Sequence, residues 1–499
     1  MKRKPLIFII LGSALAVLTI FTILFLVLPP VRMSVTLSGE MPLGAEAEIR
    51  SRFPSRVTLT VEGRDGNDME HEFPGRRRRH RVPVLGLYPG YDNRITFLLT
   101  SRRGGTVSVR RTVVTAPLPE AFPDIRVYRA SDREPAPGMI FAHPGTYNND
   151  GDYHPLTCAL DNYGKVRWFY PGEIGHVLKR LANGNLIIQK EDSLVEIDML
   201  GRRTGKTWQV PGGLHHDAIE LPDGNFLALS SAPGSFDDGV VEIGRNTGDP
   251  VRWWDFRNIV DPSRPRQPKN LRDDDWLHLN GIAYSPEDDA FIVSGRDQSA
   301  LIKVDRFTGK LVWILSSHRY WKPEYGPYLL EPDTTPFPWP WGQHAPAVHP
   351  GDPDRILVYD NGNKRSYDTP LAPEENYSRA VEYRLSPDGR RVSQVWQYGE
   401  ERGSGLYTPF IGSAAYLPGG NRLICFGGIT RSLEGMPMEI FDFEAGTVNR
   451  MKMSAVITEV TSDTPAEQVL ELWFEDDDPD SYRGYRSYRA FKMPLYPGR

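Results

Sequence analysis

Four histidines occupy matching places in successive repeats of this chain. His176 lies eight residues before Gly184, and His216 lies eight before Gly224. His278 lies nine before Glu287 and His344 seven before Gly351, in weaker copies of the same turn. Taken singly, any one of the 11 histidines reads more simply as structural or exposed. The shared register changes that reading, because equivalent positions on repeated units face one axis. Arg296 joins the set. The hairpin from His278 to Arg296 turns near residue 287, and a strand that leaves and returns brings its ends together. Asn280 adds an amide two residues after His278, on the same strand face. Imidazoles grouped with a guanidinium suit a tetrahedral oxyanion, since the planar fork of Arg matches sulfate or phosphate oxygens. A neutral imidazole is a nucleophile, and an imidazolium can protonate a leaving oxygen.

An aromatic run precedes His344: Phe337, Trp339 and Trp341 alternate with Pro336, Pro338 and Pro340. One reading is a packed surface loop. The other is a wall in which Trp339 and Trp341 stack on a planar substrate.

Such residues need a scaffold that repeats. One half-unit is a strand, a tight turn and a strand, as in Leu181-Ala182-Asn183-Gly184-Asn185-Leu186 and Leu221-Pro222-Asp223-Gly224-Asn225-Phe226. The other half-unit is a hairpin with Trp on its outgoing strand, at Trp168, Trp208, Trp254, Trp313, Trp396 and Trp473. Asn-Gly and Asp-Gly between apolar runs are strong hairpin signals. Four strands repeated six times predict an all-β fold, a six-bladed β-propeller over residues 138–499. Its first and last blades lie side by side, so a disulfide between Cys158 and Cys425 is geometrically allowed. The 46 Gly and 43 Pro fit many short strands joined by turns. A many-stranded sandwich is the plainer alternative, but it leaves the two alternating hairpin types unexplained.

Residues 31–117 alternate apolar and polar, as in Val57-Thr58-Leu59-Thr60-Val61, and predict a small immunoglobulin-like β-sandwich. The run Arg76–Arg79 falls in it, either as a solvated edge or as a contact with anionic lipid or a partner. Pro-rich residues 118–137 read as a linker. Leu6 to Leu28 are apolar or small, and Lys2, Arg3 and Lys4 precede them. That pattern predicts an N-terminal transmembrane helix within residues 1–30. The chain is then a single-pass protein of the inner membrane with a periplasmic or otherwise extracytoplasmic body. A cleaved signal peptide competes, though no clear A-x-A site follows Leu28. A formal charge of −5 argues against a nucleic-acid partner, and two cysteines exclude a disulfide-dense or Cys-ligated zinc fold.

Several motifs resemble the bacterial arylsulfate sulfotransferases. They are Asp275-Trp276-Leu277-His278-Leu279-Asn280, Ser294-Gly295-Arg296-Asp297-Gln298, Gly342-Gln343-His344 and His215-His216-Asp217. The resemblance runs from about residue 35 to the C-terminus. It implies a periplasmic enzyme with a sandwich and a six-bladed propeller. It implies transfer of a sulfuryl group from an aryl sulfate ester to a phenolic acceptor by ping-pong exchange, with no nucleotide donor and no cofactor. Carried over by motif, His344 is the nucleophile, and His278 and Arg296 hold the sulfuryl oxygens. His216 assists with the phenol proton, taken over His215 because it shares the register of His176. Asn280 is a supporting donor. Gly295 stands where Ser is expected and Asp297 where His is more usual. A homodimer is left open.

Two other classes compete. Four axial histidines could hold a divalent transition metal, although Arg296 would then set a fixed charge beside the ion. A propeller can also be a non-catalytic binding scaffold, since fold alone assigns no function.

Overall fold

The structure is a computed structural model describing residues 30–64, 66–147, 153–267, 274–439, 451–476 and 484–497. The chain divides into two compact units, one spanning residues 43–116 with the preceding strand, the other essentially residues 117–499.

The first unit is a five-stranded antiparallel sheet. Its organiser is the long strand Ala45–Val61, interrupted by a bulge in the middle. The first half pairs with Val31–Leu37 and the second half with Asp92–Ser101, while Met69–Val84 runs along the whole length. Alternate residues turn inward, so Ala45, Ala47, Ile49, Val57, Leu59 and Val61 are fully buried. The Asn93 amide closes the Gly86–Gly90 turn, accepting from Tyr88 N at 2.7 Å and donating to Tyr88 O at 3.0 Å.

In the second unit the described residues form six sheets, each built mainly from four antiparallel strands in chain order. Hydrophobic cores fill the spaces between successive sheets. One holds Leu227, Leu229 and Val240 of the third sheet against Leu279, Phe291 and Ile302 of the fourth. Another holds Ile292 and Leu301 of the fourth against Ile356, Val358 and Tyr383 of the fifth. The repeated Trp explains itself here, because a large apolar ring with one polar tip can staple two sheets. The indole N–H of Trp168 donates to Met199 O at 3.0 Å, that of Trp208 to Arg245 O at 2.8 Å, and that of Trp396 to Asp463 O at 3.1 Å. Each bond crosses to the next sheet along the chain. This is the strand order and sheet packing of β-propeller blades.

Closure uses both ends of the unit. The strand Arg486–Met493 pairs with Met139–Tyr147 of the first sheet. Asp124–Tyr128, inside the stretch expected to be a linker, instead pairs with Gln468–Glu475 of the last sheet.

Two expectations are corrected. The disulfide that the closure allowed is not formed, since Cys158 and Cys425 are free, buried thiols. The N-terminal transmembrane helix and the single-pass inner-membrane placement rested on the apolar run and the basic residues before it. No helix among the described residues is long and apolar enough to cross a membrane, and residues 1–29, on which that expectation falls, lie outside the described residues.

Burial pushes both thiols up, so neither ionises in the folded chain at neutral pH. Native protein is therefore expected to resist iodoacetamide, whereas protein denatured without reductant takes up two labels by mass. Denatured protein that takes none until reduced would reinstate the bridge.

Candidate active site

The first strands of successive sheets begin at one place, and their histidines meet there. The rings of His176 and His216 stack at 5.1 Å, and His216 meets His278 edge-on at 4.7 Å. His216 and His278 both adopt left-handed backbone, with φ of 53° and 50°. That conformation is uncommon outside glycine and tends to persist where the surroundings demand it. Arg296 arrives as its hairpin predicts. Leu279 pairs with Gly295, and Arg296 N donates to His278 O at 3.1 Å. Its guanidinium donates to Asp297 at 2.9 Å, and the side chain is 4% exposed. Burial raises the Asp297 carboxyl to about 6, against the pull of Arg296.

His344 is the most constrained of these groups. Its Nδ1 lies 2.6 Å from Oδ1 of Asn361. Asn361 spends both amide hydrogens elsewhere, on Thr408 O at 2.9 Å and Ile411 O at 2.8 Å. The oxygen of Asn361 therefore faces the ring and can only accept. His344 carries its proton on Nδ1, and Nε2 keeps a lone pair. Burial first, and then the charge of Arg296, hold this imidazole well below the usual histidine range. It is neutral at pH 7. The backbone before it is locked by Gln343, whose amide donates to Ser294 Oγ, Gly295 O and Ala300 O at 3.1–3.2 Å. Gly342 has φ of +60°, and a Cβ there would meet Asn363 Oδ1 at 2.1 Å.

His278 is set up differently. Its Nδ1 lies 2.6 Å from Asp275 and 3.7 Å from Asp237, so two carboxylates face it. His215 and His216 share a proton between Nδ1 atoms 3.0 Å apart, and Asp237 lies 3.4 Å from Nε2 of His215. Burial, then His278, keeps His216 well below the ordinary range. Burial also lowers His215 to about 4. The two rings are thus joined to each other by a hydrogen bond.

The sequence reading missed the contribution of the closing strand. Tyr488 stacks on His176 at 4.1 Å. Arg489 pairs with Asp217 at 2.6 Å, and Lys179 reaches the other oxygen of Asp217 at 2.7 Å. Burial alone would raise the Asp217 carboxyl, but Arg489 and Lys179 hold it below the usual carboxylate range. Beside this network lies a cavity of about 390 Å³ lined by His143, His176, Ile282, Pro346 and Phe491 among others.

Three expected ligand-facing groups are placed otherwise. The Asn280 amide donates to Gln343 O at 2.9 Å and is fully buried, so it braces the approach to His344. Trp339 packs on Phe337 at 4.5 Å and His318 at 5.4 Å, against the core of the fourth and fifth sheets. Trp341 is buried edge-on against Tyr367 at 5.3 Å. Axial metal ligation by the four registered histidines also fits poorly, because stacked His176 and His216 show each other ring faces instead of lone pairs. Among the described residues, three or more ligand-type side chains come within 4.8 Å of one another only as His215, His216, Asp237 and as Asp237, Asp275, His278.

Removing Asp217 strands two cations, the Arg489 side chain being only 12% exposed. Asp217→Ala is expected to cost about 3 kcal/mol of stability, read by urea unfolding. A loss under about 1 kcal/mol would show that water replaces the carboxylate there.

Known proteins resemble this chain along most of its length. Residues 124–486 match the family described as arylsulfotransferase (ASST), and residues 35–117 match the arylsulfotransferase Ig-like domain. The arylsulfate sulfotransferase AssT of Escherichia coli O6:H1 strain CFT073 is 24% identical, covering 86% of this chain and 89% of its own. The protein of that name from Lelliottia amnigena is 23% identical, covering 80% and 85%. Among solved structures, a putative 6-phosphogluconolactonase of Bacteroides uniformis covers 89% of this chain and 98% of its own, at 10% identity and a TM-score of 0.35. Hydrazine synthase of Kuenenia stuttgartiensis covers 62% and 69%, at 13% identity and 0.33. Scores so low carry no argument. The family match spans most of the sequence and takes in His176, His216, His278, Arg296 and His344: the chain belongs to the arylsulfotransferase family.

Proposed function

We propose that this chain moves a sulfuryl group from an aryl sulfate ester to a phenol by way of a sulfated His344. It is an enzyme, an arylsulfate sulfotransferase. The single observation that supports the route is the Asn361 oxygen on Nδ1 of His344, which leaves Nε2 unprotonated and aimed away from its anchor.

In the first half-reaction Nε2 attacks sulfur. The N–S bond forms as the S–O bond to the aryl oxygen breaks, and the phenolate leaves with both electrons of that bond. Charge on the three sulfuryl oxygens is met by Arg296 and His278, donors placed before the reaction begins. The phenolate leaves as the anion and takes its proton from solvent, because burial holds the His216–His215 pair neutral. In the second half-reaction that neutral pair accepts the proton of the acceptor phenol as its oxygen attacks sulfur and the N–S bond breaks, and returns the proton to solvent as the product leaves. No nucleotide, metal or cofactor is needed for the atoms to balance. Asp275 and Asp237 hold the His278 ring at Nδ1, while burial keeps His344 neutral. The two tasks are thus assigned to different rings.

His344→Asn is expected to lower transfer from a chromogenic aryl sulfate to a phenol by on the order of 10³-fold or more, with the fold retained. Parent protein given the aryl sulfate without acceptor is expected to gain one sulfuryl mass on the peptide carrying His344. Turnover with no such adduct, trapped by rapid quench, would sink the covalent route.

The pH dependence follows from the same bond. A depressed His344 stays neutral as pH falls through 6.5, so this group imposes no acid limb there. Asn361→Asp puts a carboxylate on Nδ1–H and favours the imidazolium. The acid limb of kcat/KM is expected to move up by about 1–3 pH units. An unmoved profile would show that Asn361 does not set the protonation of the nucleophile.

A further inference from the structure

The first unit has a charge unlike the rest of the chain. Residues 31–117 hold 15 Arg, no Lys and 9 Asp or Glu, a formal charge of +6, whereas the whole chain carries −5. The excess is gathered in one place. Met69–Val84 pairs only with Ala45–Val61, so its other side is a sheet edge. Arg76, Arg77, Arg78 and Arg79 follow one another along that edge, and all four are exposed. The long strand bulges opposite them, between the pairs Arg50–Arg79 and Ser55–Arg77. Ser55 also pairs with Ser101 on its other side, which carries the Arg102-Arg103 turn to the level of the bulge. The Arg76 guanidinium donates to Thr100 O at 2.7 Å, which shows how close that turn lies.

The ion pairs found among the described residues of the unit are Arg56–Glu72, Arg81–Glu46, Arg81–Glu48 and Arg94–Glu62. Among the described residues none involves Arg76–Arg79, Arg102 or Arg103. The bulge also pushes an apolar ring outward: Phe53 is 54% exposed, next to exposed Pro54. A charge or two is enough to keep an edge strand from pairing with a neighbour. Six guanidinia around an exposed Phe exceed that need.

We propose that this bulged edge of the sheet docks peripherally on a bilayer surface of anionic phospholipid. Guanidinium groups grip phosphate through paired N–H donors, and the anionic surface attracts each additional cation within a Debye length. Phe53 enters the headgroup layer, where an aromatic ring amid basic groups is favoured. The contact is through a strand edge and uses no spanning segment. A polyanion such as heparin or RNA would satisfy the arginines but has no use for the projecting Phe.

The test is hydrogen exchange of the full chain with vesicles of phosphatidylcholine alone or with about 30 mol% phosphatidylglycerol, chosen to give a surface potential of the physiological order. Peptides covering Ser51–Arg56 and Arg76–Arg81 are expected to gain protection on the mixed vesicles only. They are expected to lose it in about 0.5 M salt, where the Debye length is about 4 Å. Replacing Arg76–Arg79 with Gln is expected to remove that protection and to lower flotation with anionic over neutral vesicles by about tenfold or more, while sulfuryl transfer is unchanged. Phe53→Ser is expected to weaken it without changing the salt dependence. Equal protection on both vesicles, none on either, or protection by heparin alone would overturn the proposal.

Discussion

One hydrogen bond governs the chemistry available to this ring of sheets: the one from His344 Nδ1 to Asn361. A histidine buried without a partner is free to choose either tautomer. Here the choice is removed, because both hydrogens of Asn361 are already committed to the backbone carbonyls of Thr408 and Ile411. The amide cannot turn over without abandoning both. The consequence is a lone pair at Nε2 of a buried ring that feels the charge of the buried Arg296.

Burial and pairing divide the imidazoles into two kinds. His143, His176, His215, His216 and His344 are all depressed chiefly by burial. His278 instead has the Asp275 carboxylate at 2.6 Å from Nδ1. The Nδ1 atoms of His278 and His344, on adjacent sheets, thus meet different partners, a carboxylate on one and an amide oxygen on the other.

Much of this was legible in the sequence for one reason: repetition. Turns such as Asn183-Gly184 and Asp223-Gly224 supplied a ruler, and the ruler placed His216, His278 and His344 together with Arg296. The same ruler, applied once more, would have reached Asn361, which lies 17 residues after His344 much as Arg296 follows His278. Asp275 was in the motif but had no task assigned to it, because the left-handed turn at His278 that folds the ring back onto it leaves no mark in residue type. Tyr488 and Arg489 were illegible, since nothing in their neighbourhood announces that the last strand joins the first sheet. Trp339 and Trp341 misled, because aromatic residues between prolines look alike whether they face a ligand or a core. The stretch around Asp124–Tyr128 misled for a related reason: flanking prolines suggest a tether, yet the few residues between them suffice for an outer strand.

The closing strand has a further meaning for how the protein comes into being. Arg486–Met493 leaves the ribosome after every other strand of the ring, and it brings Tyr488 to His176 and Arg489 to Asp217. Until it docks, Asp217 and Lys179 lack their third member and the stack on His176 is open. The strand that closes the ring is thus also the one that completes the surroundings of His176 and Asp217, so scaffold and site share one seam.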